Sequence, residues 1–262
     1  MRYKKKTKWW VWLIRIFFLI FLVLIWWNRF HTDEVPSFEE QILESVKETQ
    51  SNEITKSLVV ESIINDQEEK NVLLKVPFTP QAPYAEWDDD RFQDGCEEAS
   101  VLMAMHWVND DPLTKQKAKS AIIDMSAYQQ ENFGNYHDTD AADTIERLFK
   151  GYYKYDKVRV GYNFSVNDVK EELFANNLVL IPTNGRLLNN PYYTHPGPET
   201  HMLVIRGYDP KTNQFITNDP GTKRGEEYSY NVDTVLNAAI DYPTGNHDPI
   251  IEIKRAMIVV EK

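Results

Sequence analysis

Cysteine is almost absent from this chain of 262 residues, which contains a single one, Cys96. One cysteine cannot build a disulfide framework within the chain, and it excludes a zinc site made of several cysteines. Internal repeats and low-complexity tracts are also absent from the sequence. Hydrophobic residues make up 42% of the chain and aromatic residues 13%, which is enough for one packed domain of ordinary size plus appendages.

Basic residues are scarce outside the N-terminus. The first 30 residues hold seven Lys and Arg and no acidic residue, whereas the rest of the chain holds 22 basic and 40 acidic residues. A strongly acidic body repels phosphate backbones and anionic lipid headgroups. The charge distribution therefore argues against nucleic acid or an anionic membrane surface as a partner of the main domain.

A long hydrophobic run occurs once, in residues 9–27, where only Arg15 interrupts it. A run of 19 residues is long enough to cross the hydrocarbon core of a bilayer. Tryptophans flank it at both ends, as at membrane interfaces: they are Trp9, Trp10, Trp26 and Trp27. A buried core helix and a cleaved signal peptide are alternatives, but no small-residue cleavage site follows the run. We predict an uncleaved signal anchor, with the N-terminus cytoplasmic and the body extracytoplasmic because the basic residues precede the run.

The segment that follows the run is acidic and poor in aromatic residues. Residues 33–70 hold 11 acidic residues against three lysines, a composition typical of a solvated, self-repelling linker. We therefore divide the chain into a basic head with a transmembrane anchor (residues 1–30), an acidic stalk (31–71) and a folded domain (72–262).

The folded domain is predicted to be α+β. Helical periodicity or N-cap residues indicate helices after Cys96, over 114–132, from 139 or 140 to about 150, after Ser165, and in part of 228–239. Apolar runs bounded by turn residues indicate strands over 72–78, 157–160, 178–182, 202–205 and 214–217, with one or two more within 250–260. Because the helices come first and the strands later, we expect a helical layer packed on an antiparallel sheet.

Cys96 stands where a helix is predicted to begin, directly after Gly95. Free N–H groups and the helix dipole favour a thiolate at such a position, so Cys96 is a candidate nucleophile. The alternative is a small buried hydrophobic residue, which free cysteine often is. Glu97 and Glu98 follow it. Two carboxylates disfavour a thiolate, so we expect them to face solvent or to neutralise a basic residue of the substrate.

A thiol nucleophile needs a base within reach. Of the six histidines, His106 would lie about 15 Å along the same helix, and the sequence surroundings of His201 suit the role best. His201 opens a predicted strand, and a hairpin turn returns the chain to Asp219. Antiparallel pairing across that turn can bring Asp219 to His201, where a carboxylate would fix the tautomer of the ring.

These segments resemble the C39-like cysteine peptidases, papain-fold domains related to the peptidase part of bacteriocin-processing transporters. The resemblance covers about residues 72–262 and rests on residues 76–81, 95–100, 201–209 and 218–220. It implies Cys96 as nucleophile, His201 as base and Asp219 as orienting residue, with no cofactor. It also implies a glutamine that donates to the oxyanion: Gln81 matches the family motif, and Gln93 is a weaker alternative. The chain has no ATP-binding motif, so it is not the transporter itself.

The sequence thus predicts a membrane-anchored thiol hydrolase that acts on a peptide or protein substrate. An acyltransferase or cell-wall amidase with the same triad, and a catalytically silent domain that binds peptide or wall material, are alternatives. Side chains that could contact substrate are Tyr84, Trp87, Gln93, Tyr192, Tyr193 and His195. For the aromatic residues among them, packing in the core is the alternative. A metal site is conceivable at His137, Asp138, Asp140 and Asp143, but helix capping by Thr139 or Asp140 explains that cluster more simply.

Overall fold

The computed structural model describes residues 9–30 and 70–262, with side chains described for 12–29 and 70–262. Residues 1–8 of the basic head and all but the last two residues of the predicted stalk lie outside the described residues. The chain divides into two units, residues 1–64 and 65–262.

The first unit contains helix α1 (Trp9–Phe30), which has 22 residues. Such a helix is about 33 Å long, enough for the roughly 30 Å hydrocarbon core of a bilayer. Its described side chains, residues 12–29, are all exposed, and the window Trp12–Arg29 has a mean hydropathy of 1.7. The described residues therefore include one helix that is long and apolar enough to cross a membrane, as the sequence predicts.

Most helices of the second unit follow a residue whose side chain caps them. After α2 (Asp90–Gln93) come α3 (Cys96–Val108), α4 (Lys115–Phe133), α5 (Ala141–Asp143), which continues into a π-helix (Thr144–Tyr152), α6 (Val166–Phe174) and α7 (Val232–Ala238). Thr114 and Asp140 accept hydrogen bonds from the first turns of α4 and α5. Ser165 and Asp168 form a capping box on α6. A short 3₁₀ helix spans Gly185–Leu188.

Seven strands form one antiparallel sheet among the described residues: β1 (Val72–Leu73), β2 (Val158–Tyr162), β3 (Leu178–Thr183), β4 (His201–Asp209), β5 (Gln214–Asn218), β6 (Tyr228–Asn231) and β7 (Ala256–Val260). Their order is β2-β7-β3-β4-β5-β6, and β1 pairs with β4 beyond the end of β3. The hairpin between β4 and β5 pairs Val204 with Asn218. This register carries His201 and Asp219 to the same end of the hairpin.

The central strands are buried along almost their whole length, so both faces of the sheet are covered. Helix α3 packs against β4, and α4 and the π-helix pack against α3. Helix α6 contacts β3 and β4. The predicted α+β architecture, with the cysteine-bearing helix packed on an antiparallel sheet, is confirmed.

The predicted strand over residues 72–78 is wrong in its extent, because β1 ends at Leu73. Side chains of the β4–β5 hairpin hold the chain that follows. The guanidinium of Arg206 donates to the carbonyl of Leu74, and Asn218 Nδ2 donates to the carbonyls of Val76 and Pro77. The Leu74 N–H still donates to the Arg206 carbonyl. Beyond it, side-chain donors replace the ladder of a neighbouring strand in this segment, which leads to Gln81.

Candidate active site

A cavity of about 580 Å³ opens where α3 begins and β4 starts. Its lining includes the proposed nucleophile, base and oxyanion donor: Cys96, His201 and Gln81. Trp87, Gln93, Tyr192 and Tyr193 also line it, as does Gly221. His195 is exposed and is not among the lining residues, and neither is Tyr84. The structure therefore brings together most of the site residues that the sequence indicates, but it leaves His195 outside the cavity.

Cys96 is the first residue of α3, and Gly95 stands at its N-cap. A Cβ atom at Gly95 would lie 2.6 Å from the carbonyl oxygen of Arg91, so only glycine permits this close approach between α2 and α3. The turn sets Cys96 into the wall of the cavity with 5% of its surface exposed.

The thiol of Cys96 donates a hydrogen bond to Glu97 Oε2, with the two atoms 2.9 Å apart. Burial first, and then the adjacent Glu97 carboxylate, raise the pKa of Cys96 well above its ordinary value. This finding corrects the expectation that the helix N-terminus gives Cys96 thiolate character. A buried thiol beside a carboxylate stays protonated, because both effects oppose a second negative charge.

His201 is the first residue of β4 and pairs with Thr183 across the sheet. The ring is 1% exposed, and its Nε2 lies 2.9 Å from Asp219 Oδ1. Asp219 follows the last residue of β5, so the hairpin register holds the two side chains together. The contact to Nε2 leaves Nδ1 as the ring nitrogen that could exchange a proton with a thiol.

Asp219 is fully buried and accepts five hydrogen bonds. Oδ1 accepts from His201 Nε2 and the Gly221 N–H, and Oδ2 accepts from Asn190 Nδ2, the Tyr193 hydroxyl and the Tyr230 hydroxyl. Burial raises the pKa of this carboxyl, but the charge of His201 and the hydrogen bonds from His201, Tyr193 and Tyr230 outweigh burial, and the pKa of Asp219 is lowered. Asp219 is therefore an ionised side chain, fixed in place.

Three of these donors come from residues whose contact with Asp219 the sequence does not reveal. Asn190 lies in the loop after the 3₁₀ helix, and Tyr230 lies on β6. Tyr193 is predicted to contact substrate, but its hydroxyl donates to Asp219 and its ring meets His201 edge-on at 5.5 Å between centroids. The pairing of Tyr230 with Phe215 on β5 is a clue that becomes visible only once the sheet is known.

Gly221 lies directly against the rings of His201 and Tyr193. A Cβ atom at Gly221 would lie 2.9 Å from His201 Cε1 and 3.0 Å from Tyr193 Cε1. Any side chain here would push on the imidazole. The Asp-Pro-Gly sequence that looks like a simple turn therefore also provides the space in which the His201 ring is held.

The two glutamines considered as oxyanion donors both use their amides elsewhere. Gln81 Nε2 donates to the carbonyl oxygens of Phe92 and Gln93, at 3.0 and 2.8 Å. Gln81 Oε1 is buried and has no partner among the described residues. Gln93 is exposed, and its Nε2 donates to the carbonyl of Trp87. Gln81 thus lines the cavity from a fixed position, with its amide hydrogens turned to the main chain of α2.

Glu97 and Glu98 do not face solvent, which corrects the expectation for both. Each is 1% exposed. Glu97 Oε1 accepts from the Tyr242 hydroxyl and from the Thr139 N–H, and Glu98 Oε1 accepts from Gln129 Nε2. Burial, together with Asp138, raises the pKa of Glu97 to about 7, and burial together with Glu97 raises the pKa of Glu98 well above its ordinary value. Neither carboxyl is placed to neutralise a basic residue of a substrate.

The cluster considered as a metal site has structural roles. Asp140 caps α5, Asp143 pairs with Arg147, and Asp138 accepts from the Thr200 hydroxyl and from His247. His137 and His247 both face Asp94, which lies two residues before Cys96, at 3.9 and 3.3 Å. In the part of the chain that the structure describes, no group of three or more His, Cys, Asp or Glu side chains could hold a metal ion.

The sequence model of the Peptidase_C39 like family matches residues 73–243. No curated protein matches the chain. A crystal structure from Bacillus anthracis, assigned to the C39-like peptidases, is similar at 16% identity and a TM-score of 0.42, covering 74% of this chain and 98% of that one. Xylellain, a cysteine protease from Xylella fastidiosa, is similar at 12% identity and a TM-score of 0.42, covering 73% of this chain and 85% of that one.

Proposed function

The chain belongs to the Peptidase_C39 like family of cysteine peptidases, and we propose that it hydrolyses peptide or amide bonds through Cys96, His201 and Asp219. One observation carries the proposal: Cys96 and His201 line the same cavity, and an ionised Asp219 holds the ring of His201 from behind at 2.9 Å. An ionised carboxylate fixes the tautomer of the ring and stabilises the imidazolium that forms when the ring takes a proton.

In the proposed reaction, His201 Nδ1 takes the thiol proton, and the Cys96 sulfur attacks the carbonyl carbon of the substrate. A sulfur–carbon bond forms, and His201 returns the proton to the leaving nitrogen as the carbon–nitrogen bond breaks. A water molecule, deprotonated by His201, then attacks the acyl carbon, and the sulfur leaves as the thiol. The Cys96 main-chain N–H is the first oxyanion donor in this proposal, and Gln81 becomes the second if its amide exchanges one carbonyl for the oxyanion.

The proposed location of this reaction is outside the cytoplasm. Support comes from α1, whose described side chains are all exposed and whose length suits a bilayer, and from the basic residues that precede it in the sequence. In this proposal α1 is a single-pass anchor, residues 31–71 form a stalk and residues 72–262 form the catalytic domain. The substrate is a peptide or protein, and no cofactor or nucleic acid takes part.

A thiol-reactive peptide probe tests the triad. The full chain in detergent is incubated with a fluorescent peptidyl vinyl sulfone mixture, and labelling is followed over time. We expect labelling of the native protein, none of Cys96→Ala, and labelling at least about 10²-fold slower for His201→Ala. His106→Ala is the matched control because His106 lies on α3 with Cys96 but ten residues further along.

The same experiment separates the enzyme from a silent binding domain. One observation favours the silent binding domain: the thiol donates a hydrogen bond to Glu97, so the sulfur carries its proton and is neutral. If His201→Ala is labelled as fast as the native protein, the triad proposal is wrong and the binding domain is the better interpretation.

Protease protection tests the location. In sealed cells that express the chain with an N-terminal tag, protease added outside should digest the domain while the tag stays protected. A shortened protein released into the medium would instead indicate a cleaved signal peptide.

A further inference from the structure

The two carboxyl oxygens of Glu97 have different surroundings. Oε1 accepts hydrogen bonds from the Tyr242 hydroxyl at 2.7 Å and from the Thr139 N–H at 3.3 Å. Oε2 accepts one hydrogen bond, from the sulfur of Cys96, at 2.9 Å. A proton on Glu97 therefore has one suitable place, because Oε1 is already occupied by two donors. That place is Oε2, the oxygen that faces the sulfur.

The position of this proton decides the direction of the hydrogen bond to the nucleophile. When Glu97 is ionised it can only accept, so the sulfur must keep its own proton. When Glu97 is protonated its O–H can donate to the sulfur, and donation stabilises a thiolate. We propose that Glu97 controls the protonation state of Cys96, holding it as a neutral thiol while ionised and supporting its thiolate once protonated.

The groups that face Glu97 have opposite effects on its charge, and their balance brings its ionisation near neutral pH. Cys96 and Glu98 lie beside it on α3, Asp138 approaches from the loop before α5, and Tyr242 approaches from the segment after α7. Burial and Asp138 favour the neutral carboxyl, whereas the hydrogen bonds from Cys96 and Tyr242 favour the ionised one, and the pKa of Glu97 is raised to about 7. Asp138 is itself held by Thr200 and His247.

The catalytic consequence rests on the proposed function. If Cys96 is the nucleophile, the ionised form of Glu97 keeps the enzyme at rest, and protonation of Glu97 prepares the thiolate that His201⁺ can stabilise. The inference about the thiol itself does not need turnover, so it can be tested even if the substrate is unknown.

Alkylation of the thiol by iodoacetamide measures this control directly. The thiolate sulfur attacks the methylene carbon, a sulfur–carbon bond forms, iodide leaves, and the thiol proton passes to His201 or to solvent. Because Cys96 is the only cysteine in the chain, the mass increase of the full chain reports this one site. Rates are measured from about pH 5 to 10, and the midpoint of the profile reports the apparent pKa of the thiol.

Glu97→Gln is the informative variant, because its amide can donate to the sulfur as the protonated carboxyl would. We expect its midpoint to lie about one pH unit or more below that of the native chain, with alkylation about tenfold faster at a pH below both midpoints. Glu98→Gln is the matched control: it is the next residue of α3 and equally buried, but its described hydrogen-bond partner is Gln129. Because Glu98 is the last of the causes that raise the pKa of Cys96, after Glu97, its midpoint should fall by much less than that of Glu97→Gln.

Tyr242→Phe gives a second measurement that does not depend on the folding of Glu97→Gln. Without the hydroxyl, Glu97 stays neutral to higher pH, so the midpoint should move in the same direction by a smaller amount. The proposal is overturned if Glu97→Gln folds, as shown by circular dichroism, and its midpoint is unchanged or raised, or if Glu98→Gln moves the midpoint equally. If Glu97→Gln does not fold, an unchanged or raised midpoint in Tyr242→Phe overturns it. The alkylation profile does not depend on the peptide probe. If the probe fails to label the native chain, the proposed function fails, but the test of Glu97 still stands.

Discussion

Two buried carboxyls contact residues that line the cavity, Asp219 behind His201 and Glu97 beside Cys96, and the two differ in charge. Asp219, behind His201, is 0% exposed and accepts five hydrogen bonds, one of them from an imidazole that can carry positive charge. Glu97, beside Cys96, is 1% exposed and accepts three, one of them from a weak thiol donor. The pKa of Asp219 is lowered, whereas that of Glu97 is raised to about 7. Burial alone therefore does not set the charge of a carboxyl; its donors and nearby charges do.

This difference suits the two roles that we propose. A group that orients a catalytic base must remain ionised across the working pH range, and five donors secure that for Asp219. A group that controls the thiol must be able to gain and lose a proton. Fewer donors and a nearby Asp138 leave Glu97 free to do so.

Removing the carboxylate of Asp219 should have the largest effect. Asp219→Ala removes the acceptor of five buried hydrogen bonds, and of the five donors Asn190 Nδ2 keeps another acceptor, the Tyr230 hydroxyl. We expect the free energy of unfolding to fall by about 3–5 kcal/mol. Urea unfolding of the full chain, followed by circular dichroism, measures this loss. Asp124→Ala, at an exposed position of α4, should change it by less than about 0.5 kcal/mol. A loss of similar size for both variants would contradict the special position of Asp219.

The contact between His201 and Asp219 could be predicted from the sequence, because the strand and the turn that produce it are close together in the chain. His201 begins a strand that is recognisable from its apolar run, and a turn of Asp, Pro, Lys, Thr and Asn returns the chain to Asp219. Antiparallel register then fixes which residues meet. The donors Asn190 and Tyr230 arrive from other elements, and no pattern within either segment indicates that they share an acceptor.

The burial of Glu97 and Glu98 could not be predicted in the same way. Acidic residues in a first helical turn are typical of an exposed helix end, since they complement the dipole. The structure buries both, because Tyr242 and Thr139 provide donors to Glu97 and Gln129 provides one to Glu98. These partners lie between 31 and 145 residues away in sequence, so the helix alone carries no sign of them. The expectation of a thiolate failed for the same reason.

The pH dependence of stability should distinguish Glu97 from Asp219. The folded pKa of Glu97 is raised above its unfolded value, so the folded chain keeps a proton that the unfolded chain has lost. Its contribution to stability is fully present below about pH 4.5 and is lost as the pH rises toward 7, by about 1–3 kcal/mol. Asp219 has the opposite sign: its lowered pKa adds stability above its unfolded pKa, which is lost only as the pH falls through the folded value.

The measurement is the difference between Glu97→Gln and the native chain at pH 5, 6, 7 and 8, since other groups titrate in both. We expect the native chain to lose stability relative to the variant as the pH rises through this range. Glu98→Gln is measured beside it, to show how much of any slope belongs to Glu97 alone. A constant difference between Glu97→Gln and the native chain would mean that Glu97 is ionised in the folded chain throughout this range, as it is in the unfolded chain.

The smallest effect is expected when two tyrosines are compared. Each donates to one of the carboxyls, Tyr230 to Asp219 and Tyr242 to Glu97. Tyr230→Phe removes a donor from a carboxylate that is ionised throughout, so its cost should be the same at pH 6 and pH 8. Tyr242→Phe removes a donor from a carboxyl that is largely neutral at pH 6 and largely ionised at pH 8. Because a hydrogen bond to a charged acceptor contributes about 1.5–3 kcal/mol and one to a neutral acceptor about 0.5–1.5 kcal/mol, its cost should grow by about 1 kcal/mol between the two. Equal pH dependence in the two variants would show that the carboxyls do not differ in charge as their surroundings indicate.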